Sequence, residues 1–248
     1  MGNLAEVVEL REQLAGALMP YGFEVYPFQV GWYNAVLEPA FHLPYPDDTL
    51  AFVVLSTPSM FEKAFKPFLA EHTLQKLRDP IDQCISYHLS LAKEHFPSHK
   101  VDVIYDYELH PNRRPKALMQ TAAHVSGAAY YYQRKDVSQD PWGEKKMFGV
   151  CVHARFGGWF AIRAVTLFAD VQAPGLQQTP PMDCIQSQED RMQLLELFNF
   201  HWRDGRYRDV LQAQERYSAE QTLYFATPPG ERLKLLEMWG QLHLSPSG

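Results

Sequence analysis

The apolar residues of the chain recur with a helical period at both ends and with a strand-like period in the middle. Near the N-terminus this spacing predicts a helix that Asn3 caps and that ends at Pro20 and Gly22. Two more helices are predicted, one starting near Thr57 and one capped by Asp79. The apolar positions of the three helices are Val7, Leu10, Leu14 and Leu18, then Phe61, Phe65 and Phe68, and then Ile81, Ile85, Leu89, Ala92 and Phe96.

Short apolar or alternating runs predict strands in the middle of the chain. These runs cover residues 23–34, 50–55, 101–105, 128–133, 148–152 and 159–168. A proline-rich loop at 171–183 and three predicted helices, at 188–202, 219–227 and 229–242, follow. The predicted class is α+β, with a mainly antiparallel central sheet flanked by helices. We expect one domain over residues 1–248, because the apolar stripes of the helices in 187–242 need the sheet to cover them.

The charge of the chain excludes two classes of partner. The 248 residues carry a net charge of −6 and the sequence pI is near 5.9, so no basic field would hold a nucleic acid or an anionic membrane. No apolar run reaches the roughly 18 residues needed to span a bilayer. The first residues lack the basic and apolar regions of a secretory signal, and we therefore expect a cytoplasmic protein.

The common sequence motifs of enzymes are absent. The three cysteines, Cys84, Cys151 and Cys184, are odd in number and form no CxxC pair, which excludes a disulfide framework and a zinc ribbon. No dinucleotide-binding, P-loop, zinc-protease or serine-hydrolase motif occurs. The aromatic content of 13% indicates either a rich core or a surface for a large flat ligand.

Three motifs between residues 110 and 133 allow a structural or a functional interpretation. The sequence HPNRRP at 110–115 is either an exposed turn or a rigid interaction loop. The HxxG pattern at 124–127 occurs in some cobalamin-binding methyltransferases, where the histidine ligates cobalt. Here Ala122 replaces the aspartate of that pattern, so His124 is alternatively a hydrogen-bonded structural residue. In YYYQ at 130–133 alternate residues share a face, so one face can pack the core while the other contacts a ligand, or both faces pack.

Two arginine-containing segments are candidates for binding an anion. The sequence RFGGWFAIR at 155–163 joins a Gly-Gly turn, which lets a ligand approach the backbone, to guanidinium groups that bind carboxylates in pairs. The alternative is a hairpin with its arginines in solvent. Residues 198–209 are dense in arginine and acid, which indicates either a salt-bridge network or an anionic substrate site.

These segments together resemble one known family, the methylmalonic aciduria and homocystinuria type C proteins (CblC or MMACHC), which process cobalamin. The matching stretches are residues 22–30, 110–115, 120–125, 127–134, 155–163, 198–204, 215–218 and 227–229. They occur in the order expected for the family and spread over residues 20–232. The resemblance implies a fold related to the flavin-dependent nitroreductases.

The resemblance also implies a cytoplasmic enzyme and chaperone for vitamin B12, bound with its dimethylbenzimidazole base off the cobalt. Cyanocobalamin would lose cyanide reductively, with electrons from reduced FMN or FAD. Alkylcobalamins would transfer the alkyl group to the thiolate of glutathione. The alternatives are a mainly non-catalytic trafficking chaperone and a flavin reductase that binds no corrinoid. The implied partners are a downstream type D trafficking protein and, when ligand is bound, a second copy of the monomer.

The site residues follow from the resemblance by position. Those that match cobalamin contacts are Asp106, Ala117, Leu118, Met119, Gln120, His124, Gly127, Tyr131, Tyr132, Gln133, Cys151 and Ile162. Arg163, Arg208 and Arg232 match the arginines linked to glutathione, whose two carboxylates suit bidentate guanidinium groups. No catalytic acid or base is required, and no side chain is expected to ligate a metal, although the approach of His124 to cobalt stays open. Gly205 departs from the family pattern, which has a bulky aromatic residue there.

Overall fold

The computed structural model describes residues 4–244, and the side chains of residues 4–240. Its α-helices are α1 (Leu4–Leu18), α2 (Val30–Asn34), α3 (Lys66–Glu71), α4 (Pro80–Lys93), α5 (Met119–Val125), α6 (Gln188–Phe200), α7 (Ala219–Ala226) and α8 (Arg232–Leu244). A π-helical turn at Phe61–Phe65 precedes α3. The predicted cap of α1, Asn3, lies outside the described residues. The predicted cap of α4 is confirmed, since the Asp79 carboxylate accepts from the backbone N–H of Asp82.

Within residues 4–244 the strands form one sheet of four strands and one of two. They are β1 (Phe23–Gln29), β2 (Thr49–Ser56), β3 (Val101–Tyr105), β4 (Tyr130–Tyr132), β5 (Val150–Val152) and β6 (Ala161–Gln172). The larger sheet has the order β1-β2-β6-β3, and β4 pairs with β5. Every pairing is antiparallel, which confirms the predicted α+β class.

The predicted strand at 23–34 is wrong after Gln29, where the chain turns into α2. The N–H of Gly31 donates to the carbonyl of Asp47 at 2.7 Å, and a Cβ atom at Gly31 would lie 2.8 Å from the Asp47 side chain. This contact bends the chain across the sheet end. The helical turn then buries Val30 and Tyr33, three residues apart, which a continued strand would place on opposite faces.

The two faces of the four-stranded sheet support separate apolar cores. Alternate residues of β2 point to opposite faces, so Phe52 packs with α1 and α4 while Val53 packs with α5. Helix α5 was not predicted from the sequence. It is seven residues long, and most of its side chains are buried, so it shows no contrast between an apolar and a polar side.

The C-terminal helices pack on different parts of the molecule. Leu194 and Leu195 of α6 pack in one cluster with the β4–β5 hairpin. Tyr224 of α7 packs instead against the rings of Phe61 and Phe65, at 5.8 and 5.0 Å between centroids. No helix of the described residues is both long enough and apolar enough to cross a membrane. The assignment of residues 1–248 to one domain remains a prediction.

Candidate functional site

The residues that match cobalamin contacts gather around α5 and the β4–β5 hairpin. The Cys151 thiol of β5 lies 3.6 Å from the carbonyl of Gln120, and the backbone N–H of Tyr131 donates to Nδ1 of His124 at 3.0 Å. Before α5, the N–H of Leu118 donates to the buried Tyr33 hydroxyl at 2.8 Å. Segments far apart in sequence therefore form one continuous surface.

A cavity of about 490 Å³ opens on this surface. Its lining residues are Gln120, Tyr131, Phe148, Gly149, Phe198, Asn199, Trp202 and Tyr207. Two of these, Gln120 and Tyr131, are among the residues predicted to contact cobalamin. Phe148 and Trp202 are 59% and 58% exposed, which is unusual for large aromatic rings and leaves flat apolar faces at the cavity mouth.

The position of Phe148 depends on one side chain of α6. The amide of Asn199 accepts from the N–H of Phe148 at 2.8 Å and donates to its carbonyl at 2.9 Å. Next to it, a Cβ atom at Gly149 would lie 2.4 Å from the ring of Tyr131, so only glycine fits there.

Sequence reasoning missed Phe148 and Asn199 as site residues. The only available signal was the family match at 198–204.

Two predicted cobalamin contacts, Tyr132 and His124, are committed to bonds within the chain, and a third, Gly127, is a position that only glycine fits. Tyr132 is fully buried, and its hydroxyl donates to Asp183 at 2.7 Å and accepts from the N–H of Ile185 at 2.8 Å. His124 uses Nδ1 to accept from Tyr131, so its neutral ring carries the proton on Nε2. Burial lowers the pKa of His124, which favours that neutral form. Gly127 has a φ of +79°, and a Cβ atom there would meet a backbone carbonyl at 2.5 Å.

Two of the remaining predicted contacts lie beside this surface. Gln133 lines a second cavity of about 200 Å³ together with His124 and Tyr131. Burial raises the pKa of the Cys151 thiol, so this side chain is a neutral apolar surface and not a nucleophile. Ala117, just before α5, and Met119, its first residue, are buried in the core on this side of the sheet, and Ile162 packs at the edge of that core.

The three candidate glutathione arginines surround one pair of aromatic rings. The rings of Tyr217 and Phe225 lie 5.6 Å apart. The guanidinium groups of Arg163 and Arg232 both lie 5.8 Å from the Phe225 ring, and that of Arg208 lies 5.2 Å from the Tyr217 ring. Residues from β6, α8 and the segment before α7 thus place three positive charges around one aromatic pair.

Arg163 is the most buried of these arginines, with 7% of its surface exposed. Its Nε donates to the Ser56 hydroxyl at 2.8 Å, and Nη1 lies 3.9 Å from the Asp106 carboxylate, beyond hydrogen-bonding distance. Within the part of the chain that the structure describes, its terminal nitrogens have no hydrogen-bond partner. A buried guanidinium with unused donors is suited to bind a carboxylate.

Two carboxylates, that of Asp106 just after β3 and that of Asp82 on α4, share the environment of these arginines. Burial, and then the charges of Asp79 and Asp106, raise the pKa of Asp82 to about 6, while Arg163 and Arg232 oppose the rise. Burial likewise raises the pKa of Asp106, against the opposing charge of Arg163.

The cavity and the arginine cluster are joined at two places in the chain. Tyr207 lines the cavity and Arg208 follows it, and Ile162 precedes Arg163 on β6. The Asp106 N–H donates to the carbonyl of Arg163 at 3.0 Å, which brings a further predicted cobalamin contact to the same place. A flat apolar surface thus lies beside a cationic cluster.

Comparison with known proteins finds relatives of this chain along most of its length. Residues 22–236 match the family model of the methylmalonic aciduria and homocystinuria type C family. A Gallus gallus protein named cyanocobalamin reductase / alkylcobalamin dealkylase is 69% identical over 225 residues, covering 91% of this chain and 94% of that protein. The Homo sapiens protein of the same name is 59% identical over 231 residues, covering 93% and 82%.

A solved structure gives the same result for the fold. The crystal structure of a B12-trafficking protein CblC from C. elegans, a human MMACHC homologue, matches with a TM-score of 0.87 and 32% sequence identity. The match covers 96% of this chain and 97% of that one. The chain therefore belongs to the methylmalonic aciduria and homocystinuria type C family.

Proposed function

We propose that this protein binds cobalamin and removes its upper axial ligand, reducing cyanocobalamin and dealkylating alkylcobalamins. The observation that carries the proposal is the apolar cavity at Tyr131, Phe148 and Trp202, directly beside the cluster of Arg163, Arg208 and Arg232. A corrin ring needs flat apolar contacts and scattered polar ones at its rim, and a thiol-bearing peptide with two carboxylates needs guanidinium groups.

The cavity surface holds the corrin ring with its dimethylbenzimidazole base off the cobalt. Losing the lower nitrogen donor makes the cobalt easier to reduce and its upper axial bond easier to break. Gln120 and Gln133 offer amide groups to the rim of the ring, while Tyr131 and Cys151 contribute apolar surface. His124 supports the hairpin through the bond that its Nδ1 accepts from Tyr131, so Nδ1 is not free to ligate cobalt.

Glutathione binds through its carboxylates to the arginine cluster and attacks the cobalt-bound carbon. The thiolate sulfur forms a bond to that carbon, and the electron pair of the cobalt–carbon bond remains on the metal, giving cob(I)alamin and a thioether. The positive charges favour the thiolate over the thiol. The main contribution of the protein is to align sulfur, carbon and cobalt, for which roughly 7–11 kcal/mol is available from orientation.

Decyanation uses electrons from reduced FMN or FAD instead of a thiol. A reduced flavin supplies two electrons when it is bound. The nitroreductase-like fold implied by the family agrees with this use of flavin.

The absorption spectrum of the protein mixed with methylcobalamin tests the proposal. A shift of the long-wavelength band toward the yellow, base-off form is expected, followed by cob(I)alamin formation when glutathione is added. An unchanged spectrum with no measurable binding would contradict the proposal. Sub-stoichiometric product would favour a trafficking chaperone, and a protein that is yellow as purified and reduces small aromatic compounds would favour a flavin reductase.

The loop at 110–115 carries the proposed pairing of two ligand-bound copies. It is closed by a 2.8 Å bond from the His110 N–H to the Arg114 carbonyl, and Arg113 is exposed with a φ of +64°. A loop fixed in this way loses little entropy on contact. We expect the double variant Arg113→Ala, Arg114→Ala to lose cobalamin-dependent dimerisation in sedimentation, while unchanged sedimentation would count against this role. We also propose that this protein is cytoplasmic and that its remaining partner is a downstream type D trafficking protein that accepts the product.

A further inference from the structure

A tight turn between β5 and β6 holds the segment that carries Arg208. His153 and Gly157 exchange two backbone hydrogen bonds of 2.8 Å across this turn. The N–H of Gly158 donates to the Arg208 carbonyl at 3.0 Å, and the Arg208 guanidinium donates back to the Gly158 carbonyl. Both the backbone and the charged group of Arg208 are thus bonded to one residue of the turn.

The contact between the turn and Arg208 has no spare room. A Cβ atom at Gly158 would lie 2.7 Å from the Cα of Arg208. Gly157 has a φ of +56°, and a Cβ atom there would lie 2.7 Å from the Arg208 carbonyl oxygen. Because the two backbones are in direct contact, a change in the shape of the turn displaces Arg208.

The imidazole of His153 fixes the shape of the turn from inside. Its Nδ1 accepts from the backbone N–H groups of Arg155 at 3.1 Å and Phe156 at 3.4 Å. The ring is buried and stacks on the Phe156 ring at 4.5 Å between centroids. Burial lowers the pKa of His153 to about 4, so the ring is neutral near pH 7 and Nδ1 stays available as an acceptor.

The other nitrogen of His153 ties the ring to β1. Nε2 lies 3.3 Å from the Tyr26 hydroxyl, which donates to Glu24 at 2.6 Å. Glu24 also pairs with the guanidinium of Arg155, so the network returns to the turn. Since Nδ1 accepts from the backbone, Nε2 carries the proton and donates to Tyr26. The ring is thereby held on both sides.

We propose that His153 is a positioning residue for thiol binding, which sets the place of the Arg208 guanidinium through the Gly157–Gly158 turn. This inference rests on the proposed function of Arg208 in binding glutathione. His153 touches neither the corrin nor the thiol; it acts through the turn alone. Two substitutions at this position separate the roles of the ring. His153→Asn keeps an oxygen acceptor near the place of Nδ1, while His153→Phe keeps only the stacking ring.

The test is the steady-state dealkylation of methylcobalamin by glutathione in four variants of the full chain. For His153→Phe we expect KM for glutathione to rise about tenfold, with kcat and the Kd for methylcobalamin within about twofold of the unmodified protein. His153→Asn should restore most of the KM. His72→Phe is the matched control, since His72 also stacks on a phenylalanine, at 4.0 Å, and bonds a backbone carbonyl far from the turn.

The fourth variant, Arg208→Ala, separates the two proposals. If Arg208→Ala raises the KM for glutathione and His153→Phe does not, the positioning role is overturned. An unchanged KM in Arg208→Ala overturns the proposed thiol site itself. Equal losses of glutathione use and cobalamin binding in His153→Phe would show a general structural role and also overturn the inference. If His153→Phe does not fold, Tyr26→Phe, which removes the hydroxyl that accepts from Nε2 and donates to Glu24, carries the same comparison of KM with kcat.

Discussion

Arg163 shows how one residue can be buried and still be reserved for a ligand. The stem of Arg163 is buried, while its terminal nitrogens are open to the site and can donate to an anion. Ser56 satisfies only Nε, and Asp106 at 3.9 Å gives charge compensation without a hydrogen bond. The residue is therefore placed to bind one glutathione carboxylate while its stem stays packed in the sheet.

The substitution Arg163→Ala tests this role. We expect glutathione-dependent dealkylation to fall roughly 10- to 100-fold, the worth of a charge-assisted hydrogen bond, with cobalamin binding mostly intact. Steady-state kinetics and a methylcobalamin titration give the two values. Arg216→Ala is the control, because Arg216 is 52% exposed and pairs with Asp209. Equal loss of both activities would show that Arg163 holds the corrin or the fold instead.

Contacts between helices and strands that are distant in sequence form the site. Helix α5 supplies Gln120, the hairpin supplies Tyr131, and α6 fixes Phe148 through Asn199. Two short 3₁₀ turns, Trp202–Asp204 and Arg206–Asp209, then run from the cavity to the arginine cluster. The residue between them, Gly205, decides how these two turns are oriented.

Gly205→Trp tests whether the open space at this junction changes ligand binding. Gly205 has a φ of +74°, and a Cβ atom there would meet nothing within 4 Å. A large ring therefore has room to cover the cavity, and we expect cobalamin binding to tighten about three- to tenfold. The positive φ should lower the free energy of unfolding by about 1–2 kcal/mol.

Gly205→Ala separates the two effects of that substitution. It introduces the same backbone strain without the ring, so its unfolding should resemble that of Gly205→Trp while its cobalamin affinity stays unchanged. Spectroscopic titration and denaturant unfolding measure both quantities. Unaltered affinity in Gly205→Trp would show that the ring does not reach the ligand.

For the whole molecule, the sequence predicts helices whose two sides differ in polarity and strands that form a continuous apolar run. Helices α1 and α4 and strand β2 carry long apolar patterns, and the structure confirms them. Helix α5 was not predicted, because it is short and most of its residues are buried, so it has no alternation of apolar and polar positions. The contact between Phe148 and Asn199 spans 51 residues and exists only once α6 packs on the hairpin. The pattern of apolar and polar residues along the chain does not predict hydrogen bonds between such distant residues.

The carboxylates near the arginine cluster affect the stability of the whole fold. The pKa of Asp82 is raised to about 6, so between its ordinary value of 3.8 and about 6 the folded state binds more protons than the unfolded state. Stability therefore falls as pH rises through this window and is unaffected by this group above it. The ionised carboxylate at pH 7 is thus a net destabilising group, despite its attraction to Arg163 and Arg232.

Asp82→Asn should remove this dependence on pH. We expect the variant to gain thermal stability relative to the unmodified protein at pH 7 and to lose that gain near pH 4, where the native aspartate is already protonated. Melting temperatures of both proteins across this range measure the difference. Asp190→Asn is the control, since Asp190 is also in the first turn of a helix, α6, but is exposed. A gain for Asp82→Asn that is the same at both pH values would contradict the raised pKa. The difference between the two proteins can change with pH only if the pKa of Asp82 differs between the folded and the unfolded state.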